Sequence, residues 1–386
     1  MNPLNTGNFS VFSTERLILL NFNNQTAIPL QTCVIKIGSN VITQESGMPD
    51  FLRIKSLCVQ VASLKNKGIR VILVTSGAVA FGRKNLKLPE KTNPVLKKQI
   101  WAANGQIALI NTYQNLFADL GFAIAQILVT KEDFRDRKHY LNMKNCIEGL
   151  LSQGIIPVIN ENDTVAITEL MFTDNDELAS LTAAMINADT LILLTNVDGI
   201  YTGPPDHPDS ELIHHVDSKS LDLSQYIQAG KSSFGRGGML TKLNMAKKSA
   251  NLGIRVFIAN GKKEGVLDDI LDGNAICTHF EPSPVKHSPK KWLAHGEQYY
   301  KGEIKINEGA KKALFSQKIS SLLPVGVISF SGDFEKGDIL RIIDEAGNRI
   351  GLGRAEYGIK SLTEKIGLKN QKPIIHYDYL YLFTHD

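Results

Sequence analysis

The chain has 386 residues, 43% of them apolar and 21% charged, with a formal net charge of +4. That length supports two domains with full cores, and so mild a charge gives no ground for nucleic-acid binding. Cys33, Cys58, Cys146 and Cys277 show no C-x-x-C spacing and no apolar run reaches the length of a bilayer span, which argues against a zinc finger, a disulfide framework and a membrane protein.

Residues 1–30 show neither a basic leader nor a small-residue cleavage site, so they read as an accessory extension rather than a secretory signal. Scattered thiols and no leader suggest a reducing, cytoplasmic setting. From Thr32 one pattern recurs: an amphipathic stretch ends in Gly and an apolar run follows at once. It appears in "KNKGIRVILVTSGA", "ADLGFAIAQILVTKED", "LSQGIIPVINEND" and "ANLGIRVFIANGKK". Each Gly reads as a helix C-cap and each apolar run as a strand buried on both faces. Asp50 is the expected N-cap of a helix running towards Lys67. Strand alternating with helix predicts an α/β fold, a mostly parallel sheet sandwiched by helices, with ligands beyond the carboxyl ends of the strands.

The residues after each strand therefore carry the argument. The first strand, "VIKIGSN", holds Lys36 among apolar neighbours and leads to Gly38. Lys36 is either a fixed positive charge for a phosphate, with Gly38 letting it approach the backbone, or an edge-strand lysine facing water. After the second strand, Ser76, Gly77 and Ala78 form either an anion-binding turn or a tight turn that needs small residues for packing. The fourth strand opens into "VINENDTVAITELMFTDNDELAS". There Glu161, Asp163, Glu169, Asp174, Asp176 and Glu177 fall within 23 residues. Such a density of negative charge needs positive partners. Asn160 and Asn175 offer donors and acceptors, Asp163 suits a substrate ammonium, and Asp174 and Asp176 could orient lysines or meet metal-bound water. Helix capping accounts for one of these acids, not for two clusters. The fifth strand ends in Thr195 and Asn196, polar groups suited to a base or ribose, or to a plain loop. "SSFGRGGMLTKLNMA" then brings glycines before a helix with Lys242 one turn inside, without matching the G-x-x-x-x-G-K-S/T phosphate loop.

Near "FEPSPVKHSPKKW" three prolines within eight residues mark a linker. Beyond it short strands separated by turns predict a small, mainly β domain. From Lys286 to Asp386 there are 16 Lys and Arg against 12 Asp and Glu, so 16 − 12 = +4 resides there. Tyr377, Tyr379 and Tyr381 have the spacing of one face of a strand, and core packing is the expected role. The expected division is an extension at 1–30, a catalytic domain at 31–281, a linker at 282–289 and a β domain at 290–386.

"KIGSN", "VTSGAVAFGR", "PVINENDTVA", "DNDELASL", "LLTNVDGIYT" and "RGGMLTKLNMA" resemble, in this order, the amino-acid kinase family, across roughly residues 32–280. "KKWLAHG", "GEIKINEGAKKAL" and "SSLLPVGV" are similar to a PUA domain. The pairing resembles those family members that phosphorylate the γ-carboxylate of L-glutamate with ATP, opening proline biosynthesis. The resemblance implies a nucleotide-phosphate role for Lys36, glutamate contacts from Ser76, Asp163 and Asn175 with Asn160 beside them, and nucleotide contacts from Thr195 and Asn196. It also places a second glycine loop at Arg236, Gly237, Gly238, Met239, Leu240, Thr241 and Lys242. Asn196, where Asp is common, and Arg236, where a smaller residue is common, depart from the family pattern. Mg²⁺ on the ATP, a homo-oligomer, a downstream glutamyl-phosphate reductase and feedback by proline are further implications; no protein ligand for a resident metal is expected.

Chemistry reaches the same inventory. A carboxylate is already ionised at pH 7, so it needs no general base, and no His stands at these strand ends. The obstacle is repulsion between an anion and a triphosphate, which Lys36, Lys242 and Mg²⁺ would relieve. An acetylglutamate or aspartate kinase of the same fold is the first rival, and Asp163 argues for a free α-ammonium. An RNA-binding protein built on the tail is the second, and the small charge excess argues against it.

Overall fold

The computed structural model describes residues 31–165, 172, 174–217, 239–283, 300–316 and 320–383. Chain order in the larger unit begins with β1 (Thr32–Ile37), α1 (Phe51–Asn66), β2 (Arg70–Thr75), α2 (Ala78–Asn85), α3 (Pro94–Asp119) and β3 (Ile124–Val129). It continues with α4 (Lys131–Arg135), α5 (Arg137–Ser152), β4 (Ile156–Glu161), α6 (Asn175–Met185) and β5 (Thr190–Thr195). Short strands β6 (Ile200–Tyr201), β7 (Leu212–Ile213) and β8 (His215–Val216) follow, then α7 (Met239–Asn251), β9 (Arg255–Asn260), α8 (Val266–Asp272) and β10 (Cys277–Phe280).

Eight of these strands form one sheet in the order β3-β4-β2-β1-β5-β9-β10-β8. Its pairings are parallel except that β10 runs against β9. The glycines expected to end helices do so: Gly68, Gly121, Gly154 and Gly253 sit at φ of 84°, 82°, 73° and 75°, the left-handed region that a Cβ disfavours. Asp50 caps α1 as expected, accepting from the Arg53 N–H at 3.0 Å. One core, on the face covered by α1, α2, α3 and α8, gathers Ile54, Leu57, Phe81, Leu109 and Leu267; the other, under α4 to α7, gathers Phe134, Ile147, Leu178 and Leu243. Strand β3, at the sheet edge, is only half-buried, against the expectation of burial on both faces.

β1 lies in the interior of the sheet, fully buried between β2 and β5. Asp189 accepts from the backbone N–H groups of Gln31 and Thr32 at 3.2 and 2.8 Å, fixing the end where the chain enters. The opposite ends of β1, β2, β4, β5 and β9 form one rim, as a parallel arrangement requires. Two helices near that rim touch backbone to backbone. A Cβ at Gly82 would lie 1.9 Å from the Trp101 carbonyl oxygen, and one at Gly105 1.8 Å from that of Ala78. The contact seats the start of α2 against α3.

The smaller unit contains β11 (Gly302–Ile306), α9 (Glu308–Leu314), β12 (Val327–Gly332), β13 (Ile339–Ile343), β14 (Arg349–Arg354), α10 (Ile359–Thr363) and β15 (Leu380–Leu382). Its five-stranded sheet runs β12-β11-β13-β14-β15 around its own core of Ile304, Ile306, Leu340, Ile342 and Ile350. The tyrosine stripe is split: Tyr379 and Tyr381 pack as expected, against Ile339 and Leu352, while Tyr377 does not. Tyr377 and Tyr379 belong to a 3₁₀ turn before β15, Tyr377 is exposed, and the Arg354 guanidinium stacks 3.4 Å above the Tyr379 ring. A cation over an aromatic face adds to that packing.

Candidate active site

Lys36 ends a buried strand with its side chain 6% exposed, and its Nζ lies 2.6 Å from Asp176 Oδ1. The water-facing alternative is thereby removed. Lys242, from the first turn of α7, binds the other oxygen, Oδ2, of the same carboxylate. Two ammonium groups from separate elements converge on one fully buried acid. Burial by itself would raise the Asp176 carboxyl; the Lys36 and Lys242 charges outweigh it and hold the group below the usual carboxylate range. A buried hydrogen bond of 2.6 Å between Ser180 and Ser249 ties α6 to α7 and so fixes the Asp176 and Lys242 backbones together.

Asp174 caps α6, accepting from the N–H groups of Asp176 and Glu177 at 2.8 and 3.2 Å. Its second oxygen, Oδ2, is buried without a hydrogen-bond partner. Burial and the neighbouring Asp176 push this carboxyl up to about 6. An orphaned carboxylate oxygen beside the lysine pair fits a hydrated Mg²⁺, whose charge would favour the ionised form.

A second set converges beside the first. The Asn175 side-chain amide donates to the Thr75 carbonyl, Ser76 Oγ and Asn160 Oδ1 at 2.7, 2.9 and 3.1 Å. Asn160 in turn donates to Gln106 Oε1 at 2.8 Å. The turn between Ser76 and α2 needs glycine: Gly77 has φ of 106°, and a Cβ there would meet the Ile42 side chain at 2.8 Å. Gly38 is different. Its N–H donates to the Leu194 carbonyl at 3.3 Å, so its contribution to the site is space: a Cβ would lie 3.4 Å from Lys36 Nζ. Beside this set opens a cavity of about 380 Å³ lined by Ala78, Gln106, Gln126, Glu161, Asn162 and Asp163, among others.

The acidic clusters are answered by lysines that their own sequence context does not reveal. Lys98 on α3 pairs with Asp163 at 2.8 Å, and Lys131 on α4 pairs with Glu177 at 3.1 Å. Both stand in ordinary amphipathic helical sequence, and only the packing of those helices brings them to the rim. Glu169 lies outside the described residues.

Glu161 accepts from the Phe172 N–H at 2.8 Å and is raised by burial to about 7. An acid whose pKa rises on folding favours the folded state at low pH, and that contribution is lost as pH climbs through about 7. Glu161→Gln keeps an acceptor for Phe172 but cannot titrate. Its Tm, measured from pH 5 to 8, is expected to fall less with rising pH than that of the unmodified chain; parallel profiles would contradict the assignment.

On the far side of β5, Thr195 pairs in register with Asn260, and the Thr195 hydroxyl lies 3.4 Å from Asn196 Oδ1. Asp198, absent from the expected set, accepts from Asn260 at 3.0 Å and pairs with Lys263 at 2.9 Å. Met239, Leu240 and Thr241 form the start of α7, with Leu240 exposed. Arg236, Gly237 and Gly238 lie outside the described residues.

Paired cations at a strand rim, beside a cavity whose wall carries carboxylates and amides, are the equipment of a phosphotransferase. The family model described as the amino acid kinase family matches residues 31–260, and one for the PUA domain matches residues 302–377. The chain belongs to the amino acid kinase family. It is similar to the glutamate 5-kinase of Bacteroides thetaiotaomicron, 49% identical over 351 residues, which cover 90% of this chain and 97% of that protein. The glutamate 5-kinase of Chlorobaculum tepidum is 50% identical over 351 residues, covering 90% of this chain and 96% of the relative. The corresponding protein of Caldanaerobacter subterraneus is 40% identical, over 90% of this chain and 94% of its own. Among the described residues no helix is long and apolar enough to cross a membrane.

Proposed function

We propose that this chain is a cytoplasmic glutamate 5-kinase, transferring the γ-phosphoryl group of ATP to the side-chain carboxylate of L-glutamate. The observation that carries the reading is the convergence of Lys36 and Lys242 on Asp176. Glutamate is already a nucleophilic anion, so the protein's task is to bring it to a triphosphate and offset the charge. Asp176 holds the two ammonium groups in place before substrate arrives, which is electrostatic preorganisation. Asp174 Oδ2 would accept from the hydration shell of a Mg²⁺ carried on the nucleotide, an ion that would supply further neutralisation of the phosphates.

The Lys98–Asp163 pair suits an α-amino acid. Asp163 presents a carboxylate to the substrate ammonium and Lys98 an ammonium to its α-carboxylate, while Ser76, Asn160 and Asn175 face the transferred end. Thr195, Asn196 and the stretch from Arg236 to Lys242 form the nucleotide side. The product is an acyl phosphate, which fits consumption by a glutamyl-phosphate reductase in proline biosynthesis. Assembly as a homo-oligomer and inhibition by proline belong to the same reading. So does a division into a catalytic part at 31–281 and an accessory β part at 290–386.

Hydroxylamine traps an acyl phosphate as a hydroxamate. With Mg-ATP the chain is expected to yield hydroxamate from L-glutamate and little from N-acetylglutamate, whose neutral amide gives Asp163 no positive partner. Equal turnover of the two would sink the glutamate assignment.

A further inference from the structure

We propose that His215, His279 and Glu281 form a binding site for a transition-metal dication, with Zn²⁺ the first choice, at the outer edge of the large sheet. The inference is independent of the kinase reading, because none of the lysines or acids of the phosphoryl-transfer cluster takes part.

The backbone sets the geometry. His215 and His279 are direct partners in the parallel β8–β10 ladder, so both side chains leave the same face. Glu281 stands two residues beyond His279, which returns it to that face. Ladder bonds fix all three positions: the His279 N–H donates to the His214 carbonyl at 2.8 Å and the Glu281 N–H to that of Val216 at 3.1 Å. The imidazole centroids are 5.5 Å apart, His279 Nδ1 lies 3.9 Å from Glu281 Oε1, and one ligand atom from each residue falls within 4.8 Å of the others. Tetrahedral Zn²⁺ with bonds of about 2.0–2.1 Å would draw these atoms together by roughly an ångström. His279 is held in orientation, its ring stacked on Phe257 at 4.7 Å and 15°, while His215 is exposed and free to swing inward. Two imidazoles and a carboxylate are a borderline donor set that selects Zn²⁺ and its neighbours over Mg²⁺ or Ca²⁺.

One neighbour opposes the ion. Arg255 on β9 is near enough that Glu281 counteracts the lowering of its pKa by burial. A bound dication shares Glu281 with Arg255, so the site is weaker than a four-ligand structural zinc site and leaves a fourth position to water. Its effect is mechanical: β8 is two residues long and outermost, and an ion joining it to β10 anchors the chain just before residues 218–238.

The test uses the untagged full chain, stripped with a chelator and titrated with Zn²⁺ alone in a calorimeter. One equivalent is expected to bind and to raise Tm. His215→Ala, at an exposed position where folding is safe, and Glu281→Gln are each expected to weaken binding at least about tenfold. His139→Ala, a surface histidine elsewhere, is expected to bind as the unmodified chain does. Absence of a bound equivalent, or equal affinity in His215→Ala and Glu281→Gln, or an equal loss in His139→Ala, would overturn the site.

Discussion

Asp176→Ala is expected to lower kcat at least about 10³-fold and to destabilise the fold together. The carboxylate has no exposure and holds Lys36 on one oxygen and Lys242 on the other. Its removal leaves the buried Lys36 ammonium facing Lys242 across a cavity. Breaking a buried ion pair by deleting one partner typically costs about 3–5 kcal/mol, because a charge is left uncompensated. The kinetic loss has a separate origin: the two donors are no longer aimed where charge develops, and one such donor is typically worth about 3–4 kcal/mol in the transition state. Asp176→Asn separates the two effects, since it keeps the volume but removes the charge. Thermal denaturation and steady-state kinetics on both variants decide it. A kcat within tenfold of the unmodified enzyme in Asp176→Ala would show that the lysines are positioned by something else.

Lys242→Ala is expected to reduce kcat by about 10²–10³ while changing the glutamate KM only a few-fold. Lys242 pairs with Asp176, whereas the amino acid is assigned to the Lys98–Asp163 pair, so its loss acts on transfer rather than on glutamate binding. Stability should change little, in contrast to Asp176→Ala, because Asp176 keeps Lys36 at 2.6 Å. A kcat within about threefold of the unmodified enzyme would remove Lys242 from the chemistry.

Much of this site was legible because parallel sheets sort function to one rim. Each apolar run after a capping glycine announced where a strand ends; Lys36, Ser76 and Asn160 stand at strand ends, and Asn175 at the start of α6. The glycines themselves were readable because a left-handed residue at a helix end has few alternatives. Lys98 and Lys131 were not readable. A lysine on an amphipathic helix looks the same whether it faces solvent or an acid 65 residues away, and only helix packing distinguishes the two. The antiparallel β10 escaped for a related reason: a short apolar strand carries no mark of its direction. Of the tyrosines near the C-terminus, Tyr379 and Tyr381 pack as their spacing predicts, but a 3₁₀ turn over Tyr377–Tyr379 leaves Tyr377 exposed.

The placement of β1 makes its register unforgiving. The strand rises on the order of 16 Å from Thr32 to Ile37, so Gln31, held by Asp189, stands at the rim opposite the lysine pair. A single residue inserted between Thr32 and Lys36 would turn the lysine to the opposite face of the sheet, exchanging it for an aliphatic neighbour and leaving Asp176 with one cation instead of two.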